Sequence, residues 1–205
     1  MLNIPAEDAE GNVKQALELQ KAGCEIIRLT VPNKEAVKTL AAVKEKVSIP
    51  VVADIHFDYR CALESVAAGA DKIRINPGNI GSDDRVKAVA DACRAKNIPI
   101  RIGVNSGSLE KNILAKYGSP TPRAMVESGL YHVSLLEKFD FDDIVLSLKS
   151  SNVAICFSGG KMPLSAAFGR NRGRHRGKRH GKIRRRYRRA AAARNRRYNS
   201  RFING

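Results

Sequence analysis

The first 150 residues predict an α/β fold on a parallel sheet, because short β-branched runs alternate with longer stretches of helical periodicity. The first four runs begin 22 to 27 residues apart, which is the length of one strand plus a crossover helix. A parallel sheet of this kind is either doubly wound or closed as a barrel, and a closed barrel needs about eight strands. Five strands are visible in the sequence, over residues 24–30, 49–54, 71–76, 98–103 and 143–148.

The connections between these strands carry the signals of helices. Gly23 and Gly69 each stand between a helix and the next strand, where a left-handed residue commonly ends a helix. Thr121 before Pro122 predicts an N-cap followed by a first-turn proline. Residues 105–122 are rich in Gly, Ser and Pro and predict a long irregular loop. The predicted helices cover residues 12–22, 34–46, 59–68, 83–95 and 122–138.

The positive charge of the chain is concentrated at one end. The 205 residues carry a formal net charge of +17. Residues 1–150 hold 20 Lys+Arg and 20 Asp+Glu, whereas residues 151–205 hold 17 Lys+Arg and no acidic residue. The excess charge therefore describes only the last quarter, and it does not indicate what the first 150 residues bind.

The sequence shows no feature of a membrane or secreted protein. No apolar run approaches the roughly 18 residues of a membrane span, and no charged-then-apolar leader with a cleavage site is visible. We therefore expect a cytoplasmic protein. The four cysteines, Cys24, Cys61, Cys93 and Cys156, show no metal-binding spacing and are expected to be free thiols.

Polar residues stand at the C-terminal end of every predicted strand, where a buried strand would not select them. In parallel α/β folds these ends form one face, and ligands bind there. Cations from four separate strands would repel one another in a low-dielectric cleft unless an anion lay between them. Arginine forks match phosphate oxygens, so the pattern predicts a phosphate or diphosphate site. The candidate binding residues are Arg28, Asp54, His56, Arg74, Asn76, Arg101, Asn105 and Lys149.

Each of these residues also has a purely structural interpretation. A single cation at a strand end is commonly a solvated rim residue or an ion-pair partner. Asp54 could simply neutralise Arg28 or Arg74, and His56 could be a structural imidazole. His132 lies in the middle of a predicted helix and is interpreted as structural. The glycines of residues 76–81 do not form a GxGxxG or P-loop motif, so they are only weak indications of a phosphate cradle.

Four segments carry a resemblance to one enzyme family. They read VVADIHFDYR at residues 51–60, DKIRINPGNIG at 71–81, IPIRIGVNSGSLEK at 98–111 and DDIVLSLKSS at 142–151. On these motifs the chain closely resembles the hydroxymethylbutenyl diphosphate synthases, the reductive iron–sulfur enzymes of the non-mevalonate isoprenoid pathway. The resemblance covers nearly all of residues 1–152.

The resemblance implies a function. The family converts 2-C-methyl-D-erythritol 2,4-cyclodiphosphate to 4-hydroxy-3-methylbut-2-enyl diphosphate by a two-electron reductive ring opening. It implies a TIM barrel that holds the diphosphate, a four-iron four-sulfur cluster on three Cys and a Glu of a second domain, a homodimer, and ferredoxin or flavodoxin as electron donor. A related barrel acting on another diphosphate or a pterin is the alternative that such long motifs disfavour.

Carried over by motif, the resemblance implies two roles for the candidate residues. The diphosphate clamp would be Arg28, Arg74, Arg101 and Lys149. The polar pocket around it would be lined by Asp54, His56, Asn76 and Asn105. No residue is assigned a catalytic role.

The sequence departs from the family pattern at both ends. It begins at what looks like the end of the family's first strand, and the pattern stops near Ser151 with no cluster-binding cysteine motif after it. The expectation is an incomplete TIM-type (β/α) barrel over residues 1–152. We expect that this chain binds no cluster and has no turnover, because the cluster supplies the electrons.

Residues 153–205, the basic tail, are expected to be disordered because their apolar content is too low for a core. One hypothesis is that the tail is an out-of-frame translation of the barrel's second half. A one-base shift turns Met162-Pro163 into a cysteine codon, and it permits a family-like continuation from Lys161. The alternative is a non-enzymatic α/β module whose basic tail binds nucleic acid.

Overall fold

Residues 1–152 are described by the structure, a computed structural model. They form one sheet of five parallel strands in the order β1-β2-β3-β4-β5. The strands are β1 (Ile27–Thr30), β2 (Val51–Asp54), β3 (Lys72–Ile75), β4 (Ile100–Asn105) and β5 (Ile144–Lys149). Each is followed in space by its neighbour in sequence, as successive βαβ units require. The predicted α/β class and parallel sheet are confirmed. The basic tail, with the predicted disorder, the frameshift and the nucleic-acid hypothesis, lies outside the described residues.

Seven α-helices accompany this sheet in the described part of the chain. They are α1 (Ala9–Lys21), α2 (Lys34–Lys46), α3 (Tyr59–Ala67), α4 (Pro77–Ile80), α5 (Asp83–Ala95), α6 (Lys111–Tyr117) and α7 (Pro122–Glu137). The predicted helix ends hold at three positions. Gly23 and Gly69 have φ of 88° and 89°, and the Thr121 hydroxyl accepts a hydrogen bond from the Ala124 amide at 3.2 Å. Glycine adopts such φ values without a Cβ clash, so each helix can turn directly into the next strand.

The predicted irregular loop over residues 105–122 is wrong. This segment holds a short 3-10 helix, Ser106–Ser108, and then helix α6. Helix α6 packs on α7, buries Ile113 in the core, and is capped by Gly118, whose φ is 70°. Seven residues are too few for a clear helical period, and the Gly and Ser content of the flanks concealed them.

The strands bury one face against the helices. Ile27, Leu29, Ile73, Ile100 and Ile102 are at most 1% exposed and belong to a single core cluster with residues of the helices. Burying an isoleucine or leucine side chain stabilises a fold by roughly 1.5–3 kcal/mol. Because side chains alternate along a strand, the residues between these positions project from the opposite face of the sheet.

The outer strands of the sheet are β1 and β5. The Leu2 amide donates to the Arg28 carbonyl at 2.9 Å, so the first residues of the chain run beside β1. On the other side, the residues of β5 are all half-buried or exposed, unlike those of β2, which are all buried. Among the described residues, no helix combines the length and the apolar character needed to cross a membrane.

Candidate anion-binding site

Strand register places six of the eight candidate residues on the polar face of the sheet. Asp54 is the partner of Arg74, and Arg74 is in turn the partner of Arg101. Nearer the C-terminal edge, Asn105 is the partner of Lys149. Partners in register project to the same side, as do residues two apart on one strand. The candidates on this face are Arg28, Asp54, Arg74, Arg101, Asn105 and Lys149.

A buried carboxylate joins two of these cations. The Asp54 side chain is 3% exposed, and its Oδ1 accepts a hydrogen bond from Nη1 of Arg74 at 2.6 Å. Its Oδ2 lies 3.3 Å from Nε of Arg28. Asp54 therefore pairs with both arginines, whereas its structural interpretation named Arg28 or Arg74. Because one carboxylate faces two guanidinium groups, this cluster keeps an excess positive charge.

The next strand pair carries a second polar contact on the same face. Arg101 donates from Nη2 to the Ser147 hydroxyl at 3.0 Å, which joins β4 to β5. Lys149 is exposed at the end of β5. The bond to Ser147 fixes the Arg101 guanidinium, whereas Lys149 remains in contact with solvent.

Lys72 on this face was missed by the sequence analysis. It is the register partner of Val52 and lies two residues before Arg74. The search for polar residues at strand ends overlooked it because it stands at the start of β3. Lys72 and Arg74 stand two residues apart in segment 71–76, which puts both on one face of a strand, and this spacing could have identified Lys72. With Lys72, the face carries five cations against one carboxylate.

The two remaining candidates lie in loops beyond the strands. His56 is exposed after β2, beside Phe57, with 6.2 Å between their ring centroids. It joins neither of the Asp54 ion pairs. Asn76 caps α4, since its Oδ1 accepts a hydrogen bond from the Gly78 amide at 3.1 Å. Asn76 therefore has a structural role at the edge of the polar face.

His132 is buried in the middle of α7, in agreement with its structural interpretation. Its side chain is 1% exposed, and Nε2 lies 2.5 Å from Oε1 of Glu110. Nδ1 of His132 and Oε2 of Glu110 are buried without a hydrogen-bond partner among residues 1–152. Burial lowers the pKa of His132, and the neighbouring Glu110 opposes that effect only in part. The imidazole is therefore held toward its neutral form.

This environment predicts an acid sensitivity that depends on His132. The imidazole takes up a proton less readily in the folded chain than in the unfolded chain, whose ordinary pKa is 6.5. Its contribution to stability is then complete above pH 6.5 and falls as the pH is lowered through the folded pKa. We expect the native chain to lose more stability than His132→Gln between pH 7.5 and pH 5. Urea unfolding of both proteins at the two pH values measures this, and an equal loss would contradict it.

The described cysteines do not fit an iron–sulfur cluster. Cys61 and Cys93 are buried, and burial raises the pKa of the Cys93 thiol to about 12. Burial also raises the pKa of Cys61, whereas cluster ligation requires thiolates. Within residues 1–152 no group of three His, Cys, Asp or Glu side chains could hold a metal ion. The three described cysteines are free, as predicted, and Cys156 lies outside the described residues.

Comparisons with known proteins agree with the motifs. A family profile described as the GcpE TIM-barrel domain matches residues 1–162. The chain is 60% identical over 153 residues to a 4-hydroxy-3-methylbut-2-en-1-yl diphosphate synthase (flavodoxin) of Fusobacterium nucleatum, covering 75% of this chain and 43% of that relative. A protein of the same name from Clostridium perfringens is 58% identical over 153 residues, covering 75% of this chain and 44% of the relative.

Among solved structures, the phospho-2-dehydro-3-deoxyheptonate aldolase of Thermotoga maritima aligns with a TM-score of 0.48 and 15% identity, covering 68% of this chain and 37% of that one.

The chain spans less than half the length of the two synthases that it matches. The family profile, in contrast, covers more than three quarters of the chain. The motifs, the parallel sheet and this match together show that the chain belongs to the GcpE TIM-barrel domain family.

Proposed function

We propose that the polar face of this sheet binds the diphosphate of 2-C-methyl-D-erythritol 2,4-cyclodiphosphate. The observation that carries the proposal is the register of β1 to β5, which directs five cations and one buried carboxylate to a single face. A diphosphate relieves the mutual repulsion of these cations, and guanidinium groups match its oxygens in pairs. The name of the relatives supports this substrate class, because a diphosphate synthase forms a diphosphate product.

The chain's own residues would act by binding and orientation. Asp54 and Ser147 hold the guanidinium groups of Arg74 and Arg101 before any ligand arrives. Donors fixed in this way lose little freedom when the anion binds, so more of the contact energy appears as affinity. Asn105 and Lys149 lie two register positions beyond Gly103 and Ser147, at the C-terminal ends of β4 and β5. They would contact the ligand at its solvent side, with His56 and Asn76 on the adjoining loops.

The complete reaction is proposed for the protein of which this domain is a part. It is the two-electron reductive conversion of the cyclodiphosphate to 4-hydroxy-3-methylbut-2-enyl diphosphate in isoprenoid biosynthesis. The relatives' names include flavodoxin, and we propose flavodoxin as the electron donor and a homodimer as the working form. Since the described residues do not fit a cluster, we assign no electron-transfer step to them.

A titration of the full chain with the cyclodiphosphate tests the binding proposal. Arg74→Ala is expected to weaken binding by about tenfold or more, since a charged hydrogen bond is worth roughly 1.5–3 kcal/mol. The matched control is Arg94→Ala on α5, whose guanidinium pairs with Asp91 of the same helix. Unphosphorylated 2-C-methyl-D-erythritol should not bind. Equal weakening by the two substitutions, or equal binding of the unphosphorylated compound, would overturn the proposal.

A further inference from the structure

One glycine stands inside a strand of the polar face. Gly103 lies in the middle of β4, between Arg101 and Asn105, and its register partner on β5 is Ser147. Its φ lies outside the left-handed range, so the backbone conformation does not require glycine. Glycine weakens a strand interior, and its presence there commonly marks a close approach by another group.

The group that approaches Gly103 is the guanidinium of Arg74. A Cβ atom at position 103 would lie 2.5 Å from Nε, 2.6 Å from Nη2 and 2.9 Å from Cζ of Arg74. The two nearly equal nitrogen distances, with Cζ farther away, place that position in front of the Nε–Nη2 edge. The Arg74 guanidinium therefore points this edge at the space that a side chain on residue 103 would fill.

The other end of the same guanidinium is fixed. Nη1 donates to Asp54 on β2 at 2.6 Å, while the Nε–Nη2 edge reaches over β4. Arg74 thus spans from its β2 neighbour to its β4 neighbour, and its side chain is 14% exposed. Any side chain at position 103 would have to displace the guanidinium, because real Cβ atoms do not approach other heavy atoms this closely.

We infer that Gly103 is a positioning residue for the diphosphate site, and that its missing side chain sets where the Arg74 guanidinium lies. This inference rests on the proposed function. The clash would fall on the movable end of an arginine and not on backbone, so the sheet can tolerate alanine while Arg74 moves. Gly103→Ala should therefore act on the ligand through Arg74.

The test is a double-substitution cycle in the full chain, titrated with the cyclodiphosphate. Gly103→Ala is expected to weaken binding about tenfold or more, as Arg74→Ala does. Gly103→Ala/Arg74→Ala should bind no more weakly than Arg74→Ala alone, because the arginine to be displaced is gone. The control is Gly107→Ala in the 3-10 helix that follows β4, where an added Cβ meets nothing within 4 Å and binding should not change.

The outcomes separate the two proposals. If Arg74→Ala binds like the native chain, the proposed site fails. If Arg74→Ala weakens binding but Gly103→Ala does not, or if the two effects multiply in the double variant, only the positioning role fails.

Circular dichroism shows whether each variant folds. If Gly103→Ala does not fold, the positioning role predicts that removing Arg74 from that variant restores folding. A double variant that also fails to fold would show that the backbone itself needs glycine, which overturns the inference.

Discussion

Asp54→Asn is expected to lower the free energy of unfolding by about 2–4 kcal/mol, the largest effect on stability that we predict for a single polar side chain. The substitution removes the charge that both guanidinium groups share, and Arg74 is too buried for water to replace it. The Arg28 part of the loss is smaller, because that side chain is 32% exposed and its pair is screened by solvent. Urea unfolding at pH 7 and low salt measures the change.

The matched control for this prediction is Asp91→Asn on α5. Asp91 also faces two cations, Lys87 and Arg94, but its side chain is 40% exposed. An exposed pair of this kind contributes less than about 1 kcal/mol. If the two substitutions cost the same, the Asp54 cluster is not a buried charge network.

Arg101→Glu is expected to weaken cyclodiphosphate binding by at least about 100-fold, because it places a carboxylate where the anion is proposed to sit. The new side chain would also lie next to Arg74 in register and would compete with the ligand for that guanidinium. Close charge pairs at binding surfaces are worth 2–5 kcal/mol or more when one member is lost, and reversal adds repulsion.

Isothermal titration of the two charge reversals Arg101→Glu and Lys87→Glu tests this prediction. Lys87 lies on α5 with its side chain 57% exposed, so reversal there changes the net charge equally without touching the polar face. We expect Lys87→Glu to bind within about threefold of the native chain in 150 mM salt, where exposed charges are screened. Similar losses for both variants would show that only net charge matters.

Much of the fold could be predicted because hydrophobic periodicity records it directly. The first strand nevertheless starts at Ile27, three residues later than predicted, because the Cys24 amide bonds back to Leu19 and still belongs to the helix end. Apolar residues before a strand look the same in sequence as residues within it. Helix α6 was missed because its seven residues are too few to show a helical period.

The sequence identifies candidate site residues by their position along a strand. It does not show which side chains meet across neighbouring strands. The sequence named Arg28 or Arg74 as a possible partner of Asp54, but it did not show that the carboxylate pairs with both. Gly103 was overlooked as a site residue, because its meaning depends on an arginine 29 positions earlier in the sequence. Similarly, the burial of His132 was foreseeable, whereas its Glu110 partner comes from a separate loop.

A crystal structure of the full chain with the cyclodiphosphate bound is the most direct test of the proposed binding site. We expect phosphate oxygens within hydrogen-bond distance of Arg74 and Arg101, with Lys149 closing the site from β5. Density for the ligand among exposed lysines of the helices, with no phosphate oxygen within hydrogen-bond distance of Arg74 or Arg101, would contradict the proposed role of this face.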